Sequence, residues 1–250
     1  MTTTETTGAW LRRYHPAPPD TPLVVLFPHA GGAASAFLPL SAALAPSVES
    51  LAVQYPGRQD RRREPCAASI AELASRIAAE LAPLTRRRIV LFGHSMGALV
   101  AYEVALLLEG AGTPPLAVVA SASKPPSRFE IDFGDVDDDA VLIDRLRTLS
   151  GTGTGVLDDT ELLAAILPAV RGDYRALRGY RADPGTRLSR PLTVLTGLDD
   201  PMVSVRDATG WAAHTTGGFR VRSFPGGHFY LERHRDAVAG VLTDIIRRSP

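Results

Sequence analysis

The chain has 250 residues, 45% of them hydrophobic, which is enough for one fully packed α/β domain over residues 1–250. Its 27 basic and 27 acidic side chains cancel, so bulk charge gives no reason to expect a nucleic acid or an anionic membrane as partner. A small molecule or another protein is the expected partner.

Three local features indicate the compartment. Cys66 is the one cysteine of the sequence, so it cannot form an internal disulfide, and we expect it to have a packing role. Residues 1–9 lack the basic start and the apolar stretch of a secretion signal. The most apolar run, Ala98 to Leu108, is interrupted by Glu103 and is too short to cross a bilayer. These features predict a soluble protein of the cytoplasm.

Apolar runs typical of β-strands recur along the chain and alternate with helical patterns. We predict a short strand at Trp10–Tyr14 and longer ones at Leu23–Phe27, Val48–Gln54, Ile89–Phe92, Leu116–Ser121, Leu192–Thr196 and Phe219–Phe224. Runs that are apolar at nearly every position are typical of strands covered by helices on both faces. The sequence therefore predicts an α/β fold with a mostly parallel, doubly wound sheet.

This alternation stops between about residues 124 and 190, where only helical patterns occur. We predict three helices there, at Val136–Leu149, Asp158–Val170 and Asp173–Tyr180. An insertion at this point of a doubly wound sheet is a common place for a lid over an active site. We interpret Gly151–Gly155 as a hinge of that lid, because a phosphate-binding loop would follow a strand and end in Lys-Ser or Lys-Thr.

Four acidic residues, Asp135, Asp137, Asp138 and Asp139, precede the first of these predicted helices. Carboxylates at this position complement the helix dipole, and neither histidine nor cysteine lies close to them in the sequence. We therefore expect a helix start rather than a metal site.

The segment Gly93-His94-Ser95-Met96-Gly97 follows a predicted strand and precedes a helical run. A sharp strand-to-helix turn exposes the central serine, and glycines two positions away leave room for the close contacts of such a turn. The turn also forces the serine towards a strained backbone conformation. We therefore predict that Ser95 is a catalytic nucleophile, with helix capping as the alternative role.

A serine hydroxyl needs a histidine to accept its proton and a carboxylate to orient that histidine. When a serine lies in this kind of turn, the acid and then the histidine follow it in the chain. His228 lies in a glycine-containing loop directly after a predicted strand, so we predict it as the base. Asp199 and Asp200 both follow the strand Leu192–Thr196, and Asp200 is favoured because Pro201 fixes the turn directly after it.

An acyl-transfer site also needs two backbone N–H groups for the oxyanion that forms on the substrate. We predict Met96, which follows the nucleophile, and Ala30, in the loop after the first long strand. In that loop His29 and Gly31 are expected to contact the substrate. We expect His29 to be a structural hydrogen-bonding residue rather than a second base.

Five motifs together resemble those of the type II, or external, thioesterases that accompany modular polyketide synthases and nonribosomal peptide synthetases. These motifs are Leu26–Gly32, Gln54–Arg58, Gly93–Ala98, Gly197–Pro201 and Gly226–Leu231, and the resemblance covers nearly the whole chain. The serine motif is common to many α/β-hydrolases. The pair Tyr-Pro-Gly-Arg and His-Ala-Gly-Gly is far more specific.

The resemblance implies an α/β-hydrolase fold with Ser95, Asp200 and His228 as triad, Met96 and Ala30 as oxyanion donors, and the helical insertion as lid. It implies an enzyme that hydrolyses acyl thioesters on the phosphopantetheine arm of acyl carrier or peptidyl carrier proteins, without a metal or cofactor. One departure is the turn after the first lid helix, which lacks the proline that relatives often carry there.

Two other functions fit parts of the pattern. A carboxylesterase or a peptidase would share the fold and the triad. A noncatalytic scaffold that binds carrier proteins would keep the fold but lack a triad residue, and none is missing here. Arg58 and Arg61–Arg63 form either a basic surface for an acidic carrier protein or a solvated loop.

Overall fold

A computed structural model describes residues 5–6, 8–18, 20–129, 134–150, 159–183 and 185–249. Its strands are β1 (Glu5–Thr6), β2 (Leu11–Arg13), β3 (Leu23–Phe27), β4 (Glu49–Val53), β5 (Ile89–His94), β6 (Ala117–Ser121), β7 (Leu192–Gly197) and β8 (Phe219–Phe224). They form one sheet in the order β1-β2-β4-β3-β5-β6-β7-β8. β1 and β2 are antiparallel to their neighbours, and β3 to β8 are parallel.

Every predicted strand is present, with ends that coincide with the prediction or shift by at most two residues. The largest difference is at β5, which continues through Gly93 and His94 because these residues pair with Ala120 and Ser121 of β6. β1 was not predicted, since two residues are too few to show a pattern. The prediction of a mostly parallel sheet is confirmed.

Seven α-helices are described: α1 (Leu38–Leu44), α2 (Ile70–Leu81), α3 (Met96–Gly110), α4 (Asp139–Ser150), α5 (Thr160–Arg178), α6 (Val205–Gly210) and α7 (Leu231–Arg248). α2 and α3 cover one face of the sheet, and α1 and α7 cover the other. Along β3 the side chains alternate between the two cores, with Val25 on the α3 side and Val24 and Leu26 on the α7 side. The apolar strands thus have two buried faces, as predicted.

The segment between β6 and β7 contains α4 and α5, which pack against each other. Two helices were predicted where the structure has one: the prediction ends one helix at Val170 and begins the next at Asp173, whereas α5 continues through Gly172, and it also contains Pro168. Its buried side chains keep one face across that point, so packing offsets the poor helix propensity of both residues. Gly172 also fits the packing, since a Cβ there would lie 2.6 Å from the Cβ of Cys66. The predicted hinge at Gly151–Gly155 lies outside the described residues.

The acidic residues before α4 behave as predicted for a helix start. A carboxylate oxygen of Asp138 accepts a backbone N–H of the first turn. Asp137 and Asp139 form ion pairs with Arg175 and Arg171 of α5. Among the described residues there is no group of three or more His, Cys, Asp or Glu side chains arranged to hold a metal ion. In the same part of the chain, no helix has both the length and the apolar character needed to span a membrane.

Candidate active site

Ser95 lies in the sharp turn between β5 and α3, with φ 54° and ψ −119°. The turn is possible because both glycines of the motif lack a side chain. A Cβ on Gly93 would lie 2.0 Å from the carbonyl oxygen of Gly97, and one on Gly97 would lie 2.0 Å from that of Phe27. The Ser95 N–H donates to the Ser121 carbonyl at 2.8 Å, which fixes the turn to β6. The strained conformation predicted for this serine is thus present.

His228 connects Ser95 to Asp200. Its Nε2 lies 3.0 Å from Ser95 Oγ, and its Nδ1 lies 2.9 Å from Asp200 Oδ2. The other oxygen of Asp200 accepts the backbone N–H groups of Met202 and Val203 at 2.8 and 3.2 Å. The side chains of His228 and Asp200 are only 3% and 0% exposed. Their burial and the two N–H donors hold the carboxylate in one orientation towards the imidazole.

Asp199, the other candidate for the acid, has different partners. Its Oδ2 accepts the Gly226 N–H at 3.2 Å, and its own N–H donates to the Gly226 carbonyl at 2.9 Å. Asp199 therefore ties the end of β7 to the loop that carries His228. The structure brings Asp200, not Asp199, to the imidazole.

The two predicted oxyanion donors, Met96 and Ala30, lie in different elements of the structure. Met96 is the first residue of α3, where backbone N–H groups have no acceptor within the helix and the helix dipole is positive. Ala30 lies in residues 29–32, the loop after β3, which we call the oxyanion loop. Both residues line the same cavity as Ser95 and His228. This position is compatible with the predicted role of their N–H groups as oxyanion donors.

That cavity has a volume of about 210 Å³. Much of its lining is apolar, and part of it comes from the helices of the insertion, with Leu146 and Leu149 of α4 and Ile166, Tyr174 and Leu177 of α5. Charged side chains at Lys124, Arg145 and Glu232 also reach it. An apolar chamber next to a serine suits the hydrocarbon part of an acyl group.

His29 and Gly31, both predicted to contact substrate, have different positions. The His29 ring lines the cavity and packs edge-on against Phe229, with 5.0 Å between ring centres. Burial, and next the charge of His228, lower the pKa of His29 to about 4, so this ring is neutral at pH 7. The Gly31 N–H instead donates to Asp173 Oδ2 at 2.7 Å. The N–H of Gly31 is thus bound to a protein carboxylate, and Gly31 is not among the residues that line the cavity.

The sequence profile of the thioesterase domain matches residues 22–246. The chain belongs to the thioesterase family.

Its relatives extend this match. The probable cadicidin biosynthesis thioesterase of Streptomyces griseus is 50% identical over 239 residues, which make up 95% of this chain and 66% of that protein. Thioesterase PikA5 of Streptomyces venezuelae is 42% identical over 95% of this chain and 85% of that protein. The structure of the type II thioesterase BorB, from the borrelidin biosynthetic cluster, is similar with a TM-score of 0.91. It is 46% identical, and the match covers 97% of this chain and 99% of that one.

These matches confirm three predictions made from the sequence: the resemblance to type II thioesterases, the α/β-hydrolase fold and the thioester hydrolase activity class.

A hydrogen-bonded group beneath the serine of this thioesterase was not predicted. Ser121 Oγ lies 2.9 Å from His94 Nδ1 and 2.6 Å from the Tyr230 hydroxyl, while the Ser121 carbonyl accepts the Ser95 N–H. Burial lowers the pKa of His94 well below its ordinary value and raises that of Tyr230, so both are neutral. No local sequence pattern marks Ser121. Its contacts with Ser95 and His94 arise only because β6 lies next to β5 in the sheet.

The arginines of the Tyr-Pro-Gly-Arg region require a correction. Arg58 and Arg61 were considered as part of a basic surface or solvated loop, but both are buried. Arg61 pairs with Glu64 at 2.5 Å and lies over the ring of Trp10. Burial of both charges is possible because backbone carbonyls and carboxylates accept hydrogen bonds from each guanidinium. Arg62 and Arg63 are exposed.

Proposed function

We propose that this thioesterase hydrolyses acyl groups from the phosphopantetheine thiol of acyl carrier or peptidyl carrier proteins in polyketide or nonribosomal peptide biosynthesis. The observation that carries the proposal is the contact series Asp200–His228–Ser95, with 2.9 and 3.0 Å between successive polar atoms, at the wall of an apolar cavity. The biosynthetic names of the relatives support the same class of substrate.

In the first half-reaction, His228 accepts the Ser95 proton as Oγ attacks the thioester carbonyl carbon. The electron pair of the carbonyl double bond moves to oxygen, where the N–H groups of Met96 and Ala30 stabilise the charge. The carbon–sulfur bond then breaks, and the sulfur takes the proton held by His228. The products are acyl-serine and the free carrier thiol.

In the second half-reaction, His228 accepts a proton from water as the water oxygen attacks the acyl-serine carbonyl. The same two N–H groups bind the second oxyanion. The ester bond breaks, Ser95 recovers its proton from His228, and the carboxylic acid leaves. His29 and His94 do not take this proton, because burial lowers the pKa of each ring and disfavours a charge there.

The two helices of the insertion are proposed to act as the lid of the acyl chamber. α4 and α5 contribute five of the apolar side chains that line the cavity of Ser95, so their position affects the space for the acyl chain. We also propose that the enzyme works in the cytoplasm. Cys66, the one cysteine in the sequence, packs against α5 as a free thiol, which fits a reducing compartment.

The proposal is tested by the intact mass of carrier proteins loaded with different acyl groups. Native enzyme should remove the acyl mass, and Ser95→Ala should leave it in place. Ser95→Ala should also abolish covalent labelling by a fluorophosphonate probe. Labelling that persists on another serine would refute the assignment of Ser95.

Parallel assays with a small acyl thioester, an oxygen ester and an aminoacyl amide separate the rival enzymes. Preference for the oxygen ester identifies a carboxylesterase, and cleavage of the amide identifies a peptidase. A native enzyme that binds loaded carrier protein without removing the acyl group identifies a noncatalytic scaffold. Each of these three outcomes contradicts the proposed function.

A further inference from the structure

A buried ion pair joins α5 to the Tyr-Pro-Gly-Arg segment. The two terminal nitrogens of Arg58 donate to the two carboxylate oxygens of Asp173 at 2.8 and 2.7 Å. The side chains are 5% and 4% exposed, respectively. This two-bond geometry fixes the orientation of both groups as well as their distance.

The same two side chains also hold the oxyanion loop. Asp173 Oδ2 accepts the Gly31 N–H at 2.7 Å, and Arg58 donates to the Gly32 carbonyl at 3.0 Å. Gly31 is the residue directly after Ala30, so the peptide group that follows Ala30 is bound to α5. The backbone of Gly31 also lies close to α5, since a Cβ there would be 2.4 Å from Val170 Cγ2.

An oxyanion donor acts only at short range, about 2.7–3.1 Å from the developing charge. A loop with two adjacent glycines has little conformational preference of its own to keep a donor at that distance. The bonds from Asp173 and Arg58 restrict this loop at the two residues that follow Ala30.

We propose that Asp173 and Arg58 are positioning residues for the reaction, through which α5 holds the Ala30 N–H towards the oxyanion. This inference rests on the proposed function of the site, in which Ala30 is an oxyanion donor. The proposed role differs from general stabilisation of the fold. Loss of these bonds should destabilise the transition state more than it weakens substrate binding.

The first test is Asp173→Asn, with Glu49→Gln as its matched control. Glu49 is also a buried carboxylate bound to two arginines, Arg13 and Arg87, but it lies at the start of β4. We expect Asp173→Asn to lower kcat for a small acyl thioester by about 10- to 100-fold with KM within about twofold. Glu49→Gln should keep kcat within about twofold. Thermal melting of both variants controls for folding.

A second variant keeps the test valid if Asp173→Asn does not fold. The double change Arg58→Met with Asp173→Leu replaces the buried ion pair by apolar side chains, an exchange that proteins often tolerate. It removes both bonds to the oxyanion loop and should lower kcat at least as much as Asp173→Asn. If a folded double variant keeps the native kcat, the inference is wrong.

An alkyl boronic acid provides a readout that stability alone would not change. It adds to Ser95 as a tetrahedral anion and mimics the oxyanion, so its affinity should fall in both variants by about the factor lost in kcat. Native affinity for the boronic acid in a variant with low kcat overturns the inference. This binding needs no thioester turnover, so it tests the loop even if the proposed substrate is wrong.

Discussion

Asp199 and Asp200 are neighbours in the chain, yet their carboxylates hold different parts of the same loop. Asp200 Oδ2 lies 2.9 Å from His228 Nδ1, whereas Asp199 Oδ2 accepts the Gly226 N–H at 3.2 Å. One carboxylate therefore orients the imidazole, and the other orients the backbone that carries it.

Asp200→Asn should lower kcat by about 10³- to 10⁴-fold, because an amide no longer enforces the tautomer in which His228 Nε2 accepts a proton. Asp199→Asn is the matched control and should lower kcat by less than about tenfold, since it alters only a backbone contact. Steady-state kinetics on a small acyl thioester measures both. If Asp199→Asn is the more damaging change, the acid has been assigned to the wrong residue.

The lowered pKa of the His29 imidazole predicts a loss of stability in acid. Its pKa is about 4 in the folded protein, against an ordinary value of 6.5, so between these values the unfolded chain takes up a proton first. Acid therefore favours unfolding over this range. Replacing His29 by Gln removes this proton uptake. Between pH 7 and pH 4, the free energy of unfolding should therefore fall by about 1–3 kcal/mol more for the native protein than for the His29→Gln variant.

Urea unfolding at several pH values measures this difference. The stabilities of the two proteins should converge as the pH falls towards 4, with a change in slope below pH 6.5. Parallel stability curves over this range would show that the pKa of His29 is not lowered in the folded protein.

A glycine-to-alanine substitution should have opposite effects on stability in α5 and in α7. A Cβ on Gly172 would lie 2.6 Å from Cys66 Cβ, so Gly172→Ala should destabilise the protein by about 1–3 kcal/mol despite the better helix propensity of alanine. Gly240 is exposed within α7, and a Cβ there meets nothing within 4 Å. Gly240→Ala should therefore stabilise by about 0.5–1 kcal/mol. Denaturant unfolding measures both, and a stabilising Gly172→Ala would contradict the packing of α5 on Cys66.

The exposed arginines after Arg58 lead to a prediction about the carrier protein. Arg62 and Arg63 are exposed, so their charges are free to meet an acidic surface of a carrier protein. Arg62→Glu with Arg63→Glu should raise KM for an acyl carrier protein about tenfold and leave KM for a small acyl thioester unchanged. Arg247→Glu with Arg248→Glu, exposed at the end of α7, is the matched control. Equal effects on the KM of the two substrates would show that Arg62 and Arg63 do not bind the carrier protein.

Much of the fold and the central contacts of the site were predictable because their signals are local. The strands are short apolar runs, and Ser95, Asp200 and His228 each follow a strand in a turn rich in glycine or proline. The bond between Arg58 and Asp173 has no such signal, because 115 residues separate the partners. One clue was present in α5. Asp173 falls three residues after Val170 on the buried stripe of an amphipathic helix, where a charge needs a partner.

The continuity of α5 was missed for a related reason. Gly172 is a poor helix residue, and its propensity favours a break between Val170 and Asp173. The helix nevertheless continues because Val170, Tyr174 and Leu177 keep one face buried across that point. Tertiary packing of this kind cannot be deduced from a local window.

The position of Asp173 on α5 limits how the lid can be exchanged to change the acyl-chain preference of this enzyme. The helix that provides the chamber wall also carries one half of the bond network around Ala30. A chimaera with the lid of another thioesterase would therefore also replace Asp173, which binds the Gly31 N–H and Arg58. Such a lid should therefore carry its own carboxylate at the position of Asp173, so that Gly31 and Arg58 keep a partner.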